Sequence, residues 1–111
     1  GPSFESDIKY VYRKINLPIK QIDKKENFRR IIDFKKNSGW IHISQLKKGN
    51  SVIAINDKVL FKKSNSYARP IALIKKGRLL IIEKCQENWC KVNTDKSSGW
   101  VDKKDLWGSI N

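Results

Sequence analysis

A motif that occurs twice constrains this chain more than anything else in it. Asn27-Phe28 leads to Ser38-Gly39-Trp40 and then Leu46, while Asn88-Trp89 leads to Ser98-Gly99-Trp100 and then Leu106. In both copies the Leu lies six residues after the Trp. The stretch between the Asn-aromatic pair and Gly-Trp differs by one residue, as a surface turn tolerates. Residues 17–22 also align loosely with 78–82, each an apolar run. Spacing repeated in this way marks a duplicated structural unit. Two related units are therefore expected, residues 1–47 and 51–107, joined by the short polar linker Lys48-Gly49-Asn50.

Within each unit the periodicity is that of strands. Ile8, Tyr10 and Tyr12 alternate with Lys9, Val11 and Arg13, and Phe28 to Asp33 alternates less cleanly because Arg30 falls in the apolar row. Short apolar runs follow at 52–55, 59–61, 71–74 and 79–82, bounded by Pro70, Lys75-Lys76-Gly77 and Glu83. β-Branched and aromatic runs separated by turn residues at roughly eight- to twelve-residue spacing predict an all-β barrel or sandwich. No window carries a sustained helical stripe; 44–46 and 103–106 suit single 3-10 turns.

At 111 residues there is room for one ordinary domain or two very small ones. Apolar content of 39% with 10% aromatics excludes wholesale disorder. No stretch approaches the run of about 18 apolar residues that spans a bilayer. Residues 1–9 lack the apolar core of a signal peptide. Twenty-four basic residues against 11 acidic give a formal charge of +13, a field that attracts nucleic acid, anionic lipid or anionic wall polymer. The excess is almost all Lys in a chain also rich in Ile and Asn, residues that share AT-rich codons, so base composition accounts for part of it.

The order of these motifs resembles the bacterial SH3-like (SH3b) domain proteins. A repeat of that family looks like a first strand, a Gly-Pro-Ser-type turn, two central strands, an Asn-Trp hairpin, then Gly-Trp and a Leu. The second unit matches throughout: Val59-Leu60-Phe61, Ser64-Asn65-Ser66, Asn88-Trp89-Cys90, Gly99-Trp100 and Leu106. In the first unit Gly1-Pro2-Ser3 corresponds to the turn, so the strand that should precede it is missing and one barrel edge would be exposed. The resemblance implies two tandem SH3-like β-barrels, the first lacking its first strand. It also implies a non-catalytic binding module of the cell envelope, periplasmic or secreted, whose signal peptide would lie upstream of this fragment.

Four residues separate Cys85 and Cys90, including Gln86-Glu87-Asn88, which reads as a turn between two strands. Opposed positions across such a hairpin fall in the Cα range a disulfide needs, and a small domain with a thin core is where such a staple occurs. Two free thiols remain the alternative. A redox role would call for Cys-X-X-Cys at a helix start, and zinc for two further ligands that His42 alone does not supply.

His42 is the only histidine, and it shares the face of Trp40. Catalysis would need it to activate a nucleophile and be oriented by a third group; no Cys lies in its repeat and its counterpart is Asp102. No enzyme activity, cofactor or metal is expected. The aromatics are the better ligand candidates, because indole and phenol rings present a flat apolar face with one polar handle. Phe28 and Trp89, at equivalent strand starts, are expected in the core. Trp40 and Trp100 border the groove of SH3-like barrels, and Tyr10 and Tyr12 precede the basic pair Arg13-Lys14. The candidate ligand-binding residues are thus Trp40, Trp100, Tyr10, Tyr12 and His42, with peptidoglycan or an envelope protein as partner. Lysine pairs at expected hairpin tips mainly keep turns soluble and edges apart. A basic SH3-like nucleic-acid binder and a structural adaptor for a larger protein remain as alternatives.

Overall fold

The computed structural model describes residues 10–12 and 17–108, and it is all-β apart from one short 3-10 helix at Ile43–Gln45. The chain divides into two compact units, one built on residues up to Ser51 and the other on Val52–Trp107.

The first unit contains β1 (Tyr10–Tyr12), β2 (Leu17–Lys25), β3 (Phe28–Ile32), β4 (Ser38–His42) and, after the 3-10 turn, β5 (Leu46–Lys48). They form one antiparallel sheet in the order β4-β3-β2-β1-β5. Pro18 sits in β2 opposite Val11 of β1, whereas β3 pairs with β2 only from Lys20 onward, so a missing N–H at Pro18 breaks no ladder with β3. A register shift between Gln21 and Asp23 bends β2 where it changes neighbours. The core is thin: Ile19, Ile31 and Leu46, with Leu17 and Ile41 packed against them.

The second unit contains β6 (Ser51–Ala54), β7 (Lys58–Phe61), β8 (Pro70–Ile74), β9 (Leu79–Gln86), β10 (Trp89–Asn93), β11 (Ser98–Asp102) and β12 (Leu106–Trp107). The sheet order is β12-β6-β9-β10-β11-β7-β8. Pro70 opens β8, a terminal strand of that order, where a residue without N–H is tolerated. Alternation is clean here: Leu60, Cys90, Val92, Gly99 and Val101 point inward from β7, β10 and β11. Ten of the thirteen buried apolar side chains among the described residues belong to this unit. At about 25 cal/mol per Å² of apolar surface removed from water, it holds most of the hydrophobic stabilisation.

The repeated sequence motif corresponds to repeated backbone geometry. Glu26-Asn27 and Glu87-Asn88 each close a two-residue hairpin turn whose Glu adopts φ +54°. The carbonyl of Asn27 accepts from Ile43 N–H, and that of Asn88 from Lys103 N–H, both at 2.9 Å. The Asn therefore ties each hairpin turn to the turn that follows the Gly-Trp strand.

Two expectations fail. Residues 103–106, expected as a 3-10 turn, form an ordinary turn that runs into β12 at Leu106. Phe28, expected in the core, is 47% exposed. Ile31 takes the inward row of β3, which leaves Phe28 on the other face, edge-on to His42 at 5.4 Å between ring centroids. Its counterpart Trp89 is half-buried, with Phe61 of β7 edge-on to it at 5.9 Å. The turn proposed for Gly1-Pro2-Ser3 and the strand before it lie outside the described residues.

Candidate binding groove

Cys85 and Cys90 stand directly opposite each other at the end of the β9–β10 hairpin and form a disulfide, Cα to Cα 4.0 Å. The bond closes the tip next to Trp89 and fixes the register of the two strands that carry Lys84 and Lys91. Lys84 and Lys91 are paired across the ladder, and Lys91 faces Trp100 of β11. Lys84, Lys91 and Trp100 thus form a row on the outward face, since Cys90, Val92, Gly99 and Val101 occupy the inward one.

On the other side of Trp100, β7 and β8 are joined by a loop pinned at its base by a 2.8 Å hydrogen bond from Lys62 N–H to the Arg69 carbonyl. Within the loop, Asn65 Oδ1 accepts from Tyr67 N–H at 3.0 Å, an Asx-type turn that holds the tip. The pinned loop brings Lys62, Arg69, Pro70 and Ile71 alongside Trp100, Ser98 and Lys91, enclosing a groove of about 490 Å³.

Its electrostatics are one-sided. Lys91 pairs with Glu83 at 3.3 Å, and the Lys84 ammonium lies 5.8 Å from the centre of the Trp100 ring, within cation–π range. Lys62 and Arg69 have no acidic partner among the described residues. A guanidinium in that position can take a carboxylate or phosphate oxygen pair in its fork, and the indole offers an apolar face for a sugar ring or peptide plane.

The sequence-predicted candidates separate. Trp100 lines this groove. Trp40 is 48% exposed on β4 of the first unit, and His42 ends the same strand, where its Nδ1 accepts from Ser44 N–H at 3.1 Å and caps the 3-10 turn. Tyr10 and Tyr12 lie on β1, paired with Ile19 and Leu17 on one side and Lys48 and Leu46 on the other; their side chains are outside the described residues. Lys62 and Arg69 were not singled out. The signal was present in the sequence as charged residues bounding the Ser64-Asn65-Ser66 turn, but the strand pairing that folds the loop over Trp100 was needed to see it.

Among the described residues no three His, Cys, Asp or Glu side chains stand together as a metal site, and no helix is long and apolar enough to cross a membrane.

Residues 58–108 match the family model of the bacterial SH3 domain. That family points to a binding module, and together with the disulfide it is compatible with a place outside the cytoplasm. A solved structure, NlpC2 from Trichomonas vaginalis, is similar over 82% of this chain, with a TM-score of 0.50 and 10% sequence identity. The likeness concerns the fold, and this chain spans 35% of that one. No curated protein matches.

Proposed function

We propose that the chain is a non-catalytic tandem SH3-like module of the bacterial cell envelope that recognises peptidoglycan through the groove of its second unit. The observation that carries this reading is the meeting of Trp100 with Lys62 and Arg69, two cations without acidic partners, in one groove of about 490 Å³. A wall polymer offers sugar rings and peptide planes to the indole and stem-peptide carboxylates to the cations. The bacterial SH3 match over residues 58–108 and the disulfide support the envelope setting.

Co-sedimentation with purified sacculi, repeated from about 50 to 500 mM salt, tests it, because screening removes purely ionic attachment over that range. Retention at high salt that is lost in Trp100→Ala supports groove recognition. Retention that vanishes with salt and ignores Trp100→Ala reduces the lysines to a generic polycation and removes the proposal.

A second reading, a protein partner, is favoured by a different surface. Val59 and Leu73 face each other across β7 and β8 and are 39% and 56% exposed, with Ile71 at 43% nearby. Exposed apolar neighbours on a sheet face are characteristic of protein contacts.

A further inference from the structure

A second hollow, of about 320 Å³, lies end to end with the Trp100 groove. Both are walled by the same two segments. On β8, Pro70 and Ile71 face the first hollow, and Ala72, Leu73 and Ile74 face the second. Across from them, Ser98 to Trp100 line the first, and Thr94, Lys96 and Ser97 line the second. The hollows meet at Gly99, where β11 contributes no side chain to divide them. A Cβ there would lie 3.2 Å from Cδ1 of Ile71, which belongs to the first hollow, and 2.8 Å from Cγ of Leu60, which belongs to the second.

The second hollow is preformed. Thr94 N–H donates to the Ser97 carbonyl at 2.8 Å, and Thr94 Oγ1 accepts from the N–H groups of Lys96 at 3.2 Å and Ser97 at 2.9 Å. The turn that presents Lys96 is thus fixed by a side chain of its own. On the opposite side Arg78 N–H closes the β8–β9 turn onto the Lys75 carbonyl at 3.1 Å. Buried Leu60 and Ile74, with half-exposed Leu73, make the lining apolar. The rim is basic. Arg78 is held by Asp95 at 3.1 Å and Lys75 stands 4.0 Å from Asp57, so Lys96 is the rim cation without an acidic partner among the described residues.

Unpaired cations therefore stand at both ends of one trough. Lys62 and Arg69 lie beside Trp100 and Lys96 lies at the far end, with exposed Ile71 and Leu73 between them. From Pro70 to Ile74 β8 spans about 13 Å, at roughly 3.3 Å per residue. A compact anion fills one end only. A ligand that uses the whole trough needs two anionic groups about that far apart, joined by an extended apolar chain.

We propose that the two hollows are subsites for one ligand, an extended peptide lying along β8 with a carboxylate at each end and small apolar residues between. One carboxylate pairs with Lys62 and Arg69, the other with Lys96, and the second contact is gained without a second association event. The proposal rests on the reading of the Trp100 groove as a wall-binding site and narrows its ligand to the peptide part of the polymer. Lys96 is the residue that separates the two.

The test uses the full chain and three blocked pentapeptides: acetyl-Glu-Ala-Val-Ala-Glu-amide and the two forms in which one Glu is replaced by Gln. Each is titrated at about 50 mM salt, where ionic contacts are least screened, while the indole N–H resonance of Trp100 and the amide resonances of Lys96 and Ser97 are followed. The peptide with two carboxylates is expected to shift both ends of the trough and to bind about threefold or more tightly than either Gln form, the worth of one further exposed ion pair. Lys96→Gln should remove that advantage and keep the shift at Trp100. Lys62→Gln with Arg69→Gln should remove it too and keep the shift at Ser97. Lys76→Gln, which alters a lysine that lines neither hollow, should leave the affinity unchanged. Shifts confined to Trp100, or full affinity in Lys96→Gln, overturn the proposal and leave the Trp100 groove as a site on its own. Shifts confined to Lys96 and Ser97 overturn it and remove the groove reading with it. An equal loss in Lys76→Gln, or no shift at about 5 mM peptide, also overturns it.

Discussion

The ammonium of Lys58 lies 2.6 Å from Oδ1 of Asp102, although 44 residues separate them in the chain. The side chain of Lys58 is 6% exposed and that of Asp102 49%. Lys58 falls on the inward row of β7, and its charge is carried out to the sheet end, where Asp102 and the Lys104 carbonyl receive it. Because one partner is buried and the other is not, the two truncations differ. Asp102→Ala strands a buried ammonium and removes the cap of the following turn, a cost of about 3 kcal/mol. Lys58→Met keeps the apolar stem and removes the buried charge, a cost of about 1 kcal/mol or less. Urea denaturation of both variants checks the order; equal losses would contradict it.

The glycines of the two Gly-Trp pairs are expected to respond unequally to the same change. Gly99→Ala pushes a methyl into the backbone oxygen of Phe61 and the Leu60 side chain, and overpacking of this kind costs about 1–3 kcal/mol. Gly39→Ala meets nothing within 4 Å among the described residues and should fall within about 0.5 kcal/mol of the parent. Thermal melts followed by circular dichroism read both.

The disulfide closes a short loop, since Cys85 and Cys90 are five residues apart. On the chain-entropy model that is worth about 2 kcal/mol. The Cys85→Ala, Cys90→Ala double variant should lose that amount and remain folded, because Val92, Val101, Leu60 and Leu80 keep the core of the second unit. A variant that does not fold would mean the hairpin tip contributes more than its loop entropy.

Glu87 holds φ +54° at the first position of the turn between the two cysteines, a region that side chains disfavour by roughly 1–2 kcal/mol. Glu87→Gly removes that strain and gives up some unfolded-state entropy, leaving a net gain of about 0.5–1 kcal/mol. A rise in melting temperature is expected, and a fall would show that the carboxylate makes a contribution the backbone geometry conceals.

Much of the strand layout was legible because it depends on local pattern. The Asn-aromatic and Gly-Trp pairs fall at the hairpin turns and on β4 and β11, and the apolar run at 79–82 opens β9. The opposed cysteines followed from the turn residues Glu87-Asn88 between them. What was not legible depends on which strand comes to lie beside which. Trp40 and Trp100 share the Ser-Gly-Trp triplet, and Trp100 is the more sheltered of the two where β7 lies along β11. Phe28 and Trp89 diverge in the same way. Nothing in the sequence marks Lys58, which the inward row of β7 places against Asp102. The groove itself escaped because Lys62 and Arg69 meet Trp100 only once the loop between β7 and β8 is closed.

That closure separates charge from stacking in the groove. Lys62→Gln with Arg69→Gln removes the unpaired cations while leaving the backbone bond between the same two residues, which uses their N–H and carbonyl. Trp100→Ala removes the apolar face and frees Lys84 from its ring contact. If the groove holds an anionic polymer, the double Gln variant should bind sacculi several-fold more weakly at about 50 mM salt and approach the parent at about 500 mM, where screening has removed the ionic part in both. Trp100→Ala should instead lose a similar factor at both salts, because the stacking of a ring on an indole is not screened. If both variants show the same salt dependence as the parent, the ligand does not occupy this groove.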